Sequence, residues 1–166
     1  MKQLLQLSLV FIALAFAVSC KKDATNPSTN NNNNNTTTAC NGKSLCFKMD
    51  GTDVSKDAKL KEINVNNVVR NRVYWEDAAT GSNIEIDVYG TAPGSYAISA
   101  NPTTGGAGFQ YLLKDNSGAK NIQGSSGTIE VTALANGTMT GKFTVTASDG
   151  SATYQITDGN FVNVAK

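Results

Sequence analysis

Val68-Val69-Arg70-Asn71-Arg72-Val73-Tyr74-Trp75-Glu76 decides the fold. Val69, Asn71, Val73 and Trp75 sort to one side, while Arg70, Arg72, Tyr74 and Glu76 sort to the other. A period of two is the signature of an extended strand with one core face. The next run sorts equally cleanly, with Ile84, Ile86 and Val88 inward and Glu85, Asp87 and Tyr89 outward. If Asp77 to Ser82 forms a hairpin loop, keeping both apolar sets on one face places Arg72 opposite Asp87 and Tyr74 opposite Glu85.

Similar short runs extend in both directions. Leu45, Phe47 and Met49 alternate and stop at Asp50-Gly51, and Gly94 to Ile98 follows the Pro93-Gly94 turn. Phe109, Tyr111 and Leu113 share a face and end at Asp115-Asn116-Ser117-Gly118. Tyr154 and Ile156 form a short strand, Asp158-Gly159 reads as a turn, and Phe161, Val162 and Val164 close the chain. Strands of this length between turn signals predict an all-β domain: an antiparallel β-sandwich or closed-up β-barrel of about eight strands, with a lipocalin-like barrel as the alternative. Ser55 to Ile63 fits either a short helix or an edge strand. Asn101 to Gly108, rich in Gly and Thr, reads as a mobile loop.

The hairpin from Gly127 to Thr146 allows its register to be argued. A two-residue Asn136-Gly137 turn would set inward Val131 against outward Lys142. A three-residue loop, Ala135-Asn136-Gly137, instead pairs Ile129 with Phe143, Val131 with Gly141 and Ala133 with Met139. The outer face then matches Glu130 with Lys142 and Thr132 with Thr140.

The N-terminal 39 residues are of a different kind. Lys2, an apolar run of fifteen residues from Leu4 to Val18 and small residues before Cys20 follow the order of an export signal over residues 1–19. The run is short for a span, which needs about 20 apolar residues. Ala15-Phe16-Ala17 fits ordinary secretory cleavage, and Ala17-Val18-Ser19-Cys20 fits a lipoprotein box. The chain has three cysteines, and lipidation of Cys20 leaves Cys40 and Cys46 as an even pair. Residues 20–39 then form a lipid anchor and a disordered Asn/Thr-rich linker, including Asn30 to Asn35, too polar to offset the entropy of ordering. Such a coil of nineteen residues after Cys20 spans roughly 25 Å. Residues 40–166 are the single domain. Cys40 and Cys46 flank an Asn41-Gly42 turn and are expected to form a disulfide at its start.

Composition excludes several functions. The domain carries 11 basic and 12 acidic residues with interspersed signs, so no electrostatic footprint for nucleic acid exists. The absence of histidine removes His-based triads and His metal sites. Gly124-Ser125-Ser126-Gly127 is one residue short of the G-x-S-x-G elbow and reads as a turn. Asp50, Asp53 and Asp57 miss the spacing of a calcium loop and read as a solvated segment. Glu85 and Asp87 form a carboxylate pair, but on a flat sheet without a cleft. No catalytic residue, metal site or cofactor is expected.

Several motifs together resemble a family of small Bacteroidota lipoproteins with an uncharacterised β-domain. They are Ser19-Cys20-Lys21-Lys22-Asp23, Phe47 to Gly51 (FKMDG), Gly94 to Ile98 (GSYAI), Ser126 to Val131 (SGTIEV), Gly141 to Ala147 (GKFTVTA) and Ile156 to Phe161 (ITDGNF). The resemblance implies a bacterial membrane lipoprotein, at the outer membrane on its periplasmic or surface-exposed side, and transfers no catalytic residues. The expected function is a non-catalytic module binding a glycan, peptide or protein partner through a face built from Arg70, Arg72, Tyr74, Glu85, Asp87 and Tyr89. The alternative is an assembly lipoprotein that pairs an edge strand with a neighbour.

Overall fold

The computed structural model describes residues 40–65 and 67–166; the expected export signal, the lipidation expected at Cys20 and the expected linker lie outside the described residues. In chain order the strands are β1 (Leu45–Met49), β2 (Thr52–Lys56), β3 (Lys59–Val65), β4 (Val68–Asp77), β5 (Ser82–Val88), β6 (Gly94–Ile98), β7 (Gly106–Asp115), β8 (Gly118–Ala135), β9 (Thr138–Ser148) and β10 (Thr153–Ala165). No helix occurs among the described residues.

All ten strands join one sheet in the order β2-β1-β10-β9-β8-β6-β7-β5-β4-β3, curled into a half-barrel. The expectation of an all-β domain therefore holds, with ten strands in place of about eight and a single sheet where a sandwich has two. Pairing is antiparallel except between β6 and the start of β7. The two edges of the sheet, β2 and β3, are consecutive in the chain, separated only by Asp57 and Ala58. Ser44 Oγ secures that elbow by accepting from the Ala58 amide at 2.8 Å and donating to its carbonyl. Ser55 to Ile63 is thus strand on both sides of the elbow, and the polar stretch expected to be a loop contains β2.

Curling brings opposite walls into contact through aromatic side chains. The Phe47 ring on β1 meets Phe109 and Tyr111 on β7 edge-on at 6.0 and 6.2 Å, and Phe143 on β9 at 5.9 Å. Phe143 in turn stacks on Phe161 of β10. These rings fill the interior, where full burial of each contributes roughly 1.5–3 kcal/mol. Glycines make the space: a Cβ on Gly159 would lie 2.6 Å from the Phe143 ring, and one on Gly141 would collide with the Phe161 ring and the Glu130 carbonyl.

The same demand for close approach explains why two apparent turns are strand interior. Gly124-Ser125-Ser126-Gly127 runs through the middle of β8 with a bulge between Gly124 and Ser126. A Cβ at Gly124 would press on Ile98, Phe109 and Val145, and Gly127, with φ 135°, lies against the Thr144 carbonyl. Here glycine permits tight strand contact and a bulged bend in place of a chain reversal. Asp158-Gly159 likewise lies within β10, at a bulge where Asp158 adopts φ 53°.

Register in the β4–β5 hairpin is as the alternation requires, with Arg72 opposite Asp87 and Tyr74 opposite Glu85. In β8–β9 the expected pairs Ile129–Phe143, Val131–Gly141 and Glu130–Lys142 form. The loop differs: Asn136 and Gly137, with φ 53° and 73°, make a two-residue turn, and Leu134, not Ala133, faces Met139. The odd residue is absorbed instead by a bulge at Thr132, so Ala133 faces Thr140. The bulge turns Leu134 onto the core and leaves Ala133 exposed, the reverse of the expected facing at this end of β8; the left-handed Asn-Gly turn matches strand twist better than the longer loop.

Cys40 and Cys46 are disulfide-bonded with Cα atoms 5.3 Å apart, across the Asn41-Gly42 turn, where both residues have positive φ. Together with Val162 they form a small apolar cluster separate from the main core.

Candidate functional site

Six residues expected to form one outer face separate into two places. Arg70, Arg72, Glu85, Asp87 and Tyr89 line a groove of about 210 Å³ on the outer side of β4 and β5. Tyr74 lies outside it, in a hollow of about 220 Å³ with Asp57, Lys59, Trp75 and Glu76. Alternation alone places all six on one side of the hairpin, but the curl of the sheet and the walls beside it divide them.

An ion network organises the groove. Arg72 donates from Nε to Asp87 Oδ1 at 2.7 Å and from Nη2 to Asp87 Oδ2 at 2.9 Å, a fork-to-fork pair. Its Nη1 lies 2.6 Å from Glu85 Oε2 on the diagonal position of the same face. All three side chains are largely covered, with 18, 13 and 27% of their surface exposed. Burial by itself would lower the Arg72 pKa. The hydrogen bond and attraction from Asp87, aided by Glu85 and Tyr89, outweigh that and raise it. One guanidinium therefore engages both acids.

Arg70 is held less completely. Its Nη1 reaches Asp87 Oδ2 and the Tyr89 hydroxyl, each at 3.3 Å, and its guanidinium carbon lies 5.8 Å from the Tyr89 ring centroid. Its buried Nε has no hydrogen-bond partner.

The remaining walls come from segments the hairpin does not predict. Gly108 sits directly across from Asp87, and its missing side chain admits Pro102, which a Cβ there would meet at 3.3 Å. Ser99, Ala100 and Pro102 border the groove on one side and Gln110 and Gln123 on another. The loop carrying Pro102 is tied at both ends: the Gly105 amide donates to the Tyr89 carbonyl at 2.7 Å, the Tyr89 amide to the Gly106 carbonyl, and the Ser99 amide to the Ala107 carbonyl. A stretch that reads as a mobile loop is thus an anchored wall. Gln110 is legible in the sequence as an outward position between Phe109 and Tyr111, whereas Gln123 is hidden beside glycines that read as a turn. Glu85, Gln110 and Gln123 stand on one rung across β5, β7 and β8.

A second hollow of about 310 Å³ lies over β8, β9 and β10 between Thr128, Glu130, Lys142, Thr144, Asp158 and Asn160. Its charges are paired and open to solvent, Lys142 with Glu130 at 3.0 Å and Lys48 with Asp158 at 3.3 Å. Asp50, Asp53 and Asp57 do not converge: Asp50 accepts the Gln155 amide, Asp53 pairs across from Lys48, and Asp57 meets Lys43. No group of three metal-ligating side chains occurs among the described residues. No protein-family model, curated protein or solved structure matches the chain.

Proposed function

We propose that this protein is a lipid-anchored envelope module that binds a glycan, without catalysis, in the groove above Arg72 and Asp87. The observation that carries this reading is the preorganised polar groove itself: a locked Arg72–Asp87–Glu85 network, the Tyr89 ring, two glutamines and a tethered loop around one concavity. Amide, hydroxyl and guanidinium groups fixed beside an aromatic ring suit a hydroxyl-rich ligand. Two common modes of peptide recognition use an apolar groove or a free strand edge. The rim offers little of the first. Against the second, β2 carries Asp53 and Lys56 and β3 carries Lys59, Lys61 and Glu62, charges of the kind that discourage strand addition. Engagement of both Glu85 and Asp87 by Arg72 supports a binding role over acid–base work. The scaffold is read as an eight-position barrel in which β2 and β3 are halves of one strand bent at Asp57 and Ala58, with β6 as an inserted short strand. Cys20 is read as the lipidated residue, on the cysteine parity and the motif resemblance.

A glycan array probed with the mature protein tests the binding reading. Loss of signal in Tyr89→Ala with retention in Tyr74→Ala is the expected result, and binding indifferent to Tyr89→Ala removes the groove from consideration. Metabolic labelling with a palmitate analogue tests the anchor: label is expected on the wild type and absent from Cys20→Ser. An unlabelled mature protein beginning at Val18 is the contrary result.

A further inference from the structure

Two arginines and two acids share the groove, yet their shortest contacts are unevenly distributed. Asp87 gives its contacts at 2.7 and 2.9 Å to Arg72, and Glu85 its contact at 2.6 Å to the same residue. Arg70 receives one 3.3 Å approach from an Asp87 oxygen that Arg72 already holds more closely. Formal charge cancels over the four side chains, while hydrogen bonding does not. Arg70 has five N–H donors and no acceptor chemistry of its own. One of those donors, at Nε, is buried without a partner, an arrangement that costs free energy and that native structures seldom keep without a role.

We infer that the groove's ligand is an acidic glycan whose carboxylate is received by the Arg70 guanidinium beside the Tyr89 ring. This rests on the glycan-binding reading and names its substrate class. A planar carboxylate matches a guanidinium fork, and among the described residues the only hydrogen bonds the terminal nitrogens of Arg70 make are the two at 3.3 Å from Nη1. Repulsion from Asp87 and Glu85 is muted because Arg72 holds both. Tyr89 serves twice: its hydroxyl accepts from Arg70 at 3.3 Å, and its ring offers a sugar-sized surface at the same end of the groove. Arg70 lines the groove with 23% of its side chain exposed. Gln123 and the amide oxygen of Gln110, whose Nε2 donates to Asn121 at 3.0 Å, are left for the neutral hydroxyls of the chain.

The test uses matched pairs of uronate-containing oligosaccharides and their carboxyl-reduced forms, arrayed and then titrated against the mature protein and Arg70→Gln, Arg70→Lys and Tyr74→Ala variants. Thermal melts establish that each variant is folded. The acidic member of a pair is expected to bind at least about tenfold tighter than its reduced form, with the preference weakening as salt rises. Arg70→Gln is expected to abolish that preference while sparing residual neutral binding, Arg70→Lys to keep part of it, and Tyr74→Ala to change nothing. Equal binding of both members, or a preference that survives Arg70→Gln, overturns the carboxylate inference and leaves the glycan reading standing. Binding of neither member anywhere on the array overturns both, as does selective binding of acidic peptides.

Discussion

Phe161 and Val162 are neighbours in the chain and are buried on opposite sides of the same sheet. Phe161 joins the aromatic interior, and Val162 packs against the Cys40–Cys46 disulfide outside it. The next inward residue is Val164, three positions after Phe161, which a regular strand would turn outward. Asn163, with φ 48°, supplies the bulge that restores its facing. The disulfide thus covers an outward-facing valine as well as closing the first turn.

Removing that cover is predicted to cost stability without changing the fold. Closing so short a loop contributes about 2 kcal/mol on the chain-entropy model. Cys40→Ser/Cys46→Ser should lower the denaturant midpoint accordingly, while Leu45 and Phe47 keep β1 in the core. Urea titration with far-ultraviolet circular dichroism reads both outcomes; a native-like midpoint counts against the role assigned to the bond.

Gly141 should tolerate no side chain. A Cβ there would enter the Phe161 ring and the Glu130 carbonyl, so Gly141→Ala is expected to destabilise by about 1–3 kcal/mol. Adding Phe161→Leu should recover part of the loss by relieving the ring contact. Additive losses in the double variant, measured by the same titration, would show that the two positions do not meet.

Arg72 and Arg70 should differ in what their loss does to folding. Arg72→Ala leaves Glu85 unpaired and Asp87 with only the 3.3 Å contact from Arg70, in a mostly covered setting, and is expected to cost about 1–3 kcal/mol. Arg70→Gln removes one long ion contact and an already unpaired donor, so its effect on the melting temperature should be the smaller. Calorimetric melts of the two variants give the comparison directly, and a larger shift for Arg70→Gln would reverse the assignment.

The β9–β10 turn should lend acid-sensitive stability. The Tyr154 hydroxyl donates to Asp149 Oδ2 at 2.7 Å, and the Ala152 and Ser151 amides and the Ser151 hydroxyl donate to Oδ1. The Tyr154 bond first, then these others, hold the carboxyl well below the usual carboxylate range. A lowered folded-state value means the contribution is fully present above the ordinary carboxylate pKa and fades as pH falls from there through the lowered one. The stability advantage of the wild type over Asp149→Asn should therefore be constant near neutrality and shrink below about pH 4. Parallel melts across pH 2 to 7 test this; an advantage growing toward acid would contradict the sign.

The ion network is legible in part from side-chain alternation alone. A period of two places Arg72 across from Asp87 because a one-residue slip would turn Val73 and Ile86 to solvent. It does not separate Tyr74 from Tyr89, since strand facing says nothing about how far a sheet curls. Nor does it reveal Pro102, Gly108 and Gln123 as walls, because these meet the hairpin only through the pairing of β5 with β7 and of β7 with β8.

The sequence by itself determined the β class, the inward sets of the β4–β5 hairpin, the first turn and the disulfide across it, because side-chain alternation and the left-handed preference of Asn-Gly are local properties. Only the tertiary structure decided the glycines. Gly124, Gly127 and Gly159 look like chain reversals in one dimension, yet they lie inside long strands, where an added Cβ would crowd Ile98, Phe109 and Val145 at Gly124 and would collide with the Thr144 carbonyl at Gly127 and the Phe143 ring at Gly159. Whether glycine marks a turn or a close contact depends on what lies across from it, and that partner is fixed only when the sheet has curled upon its own aromatic core.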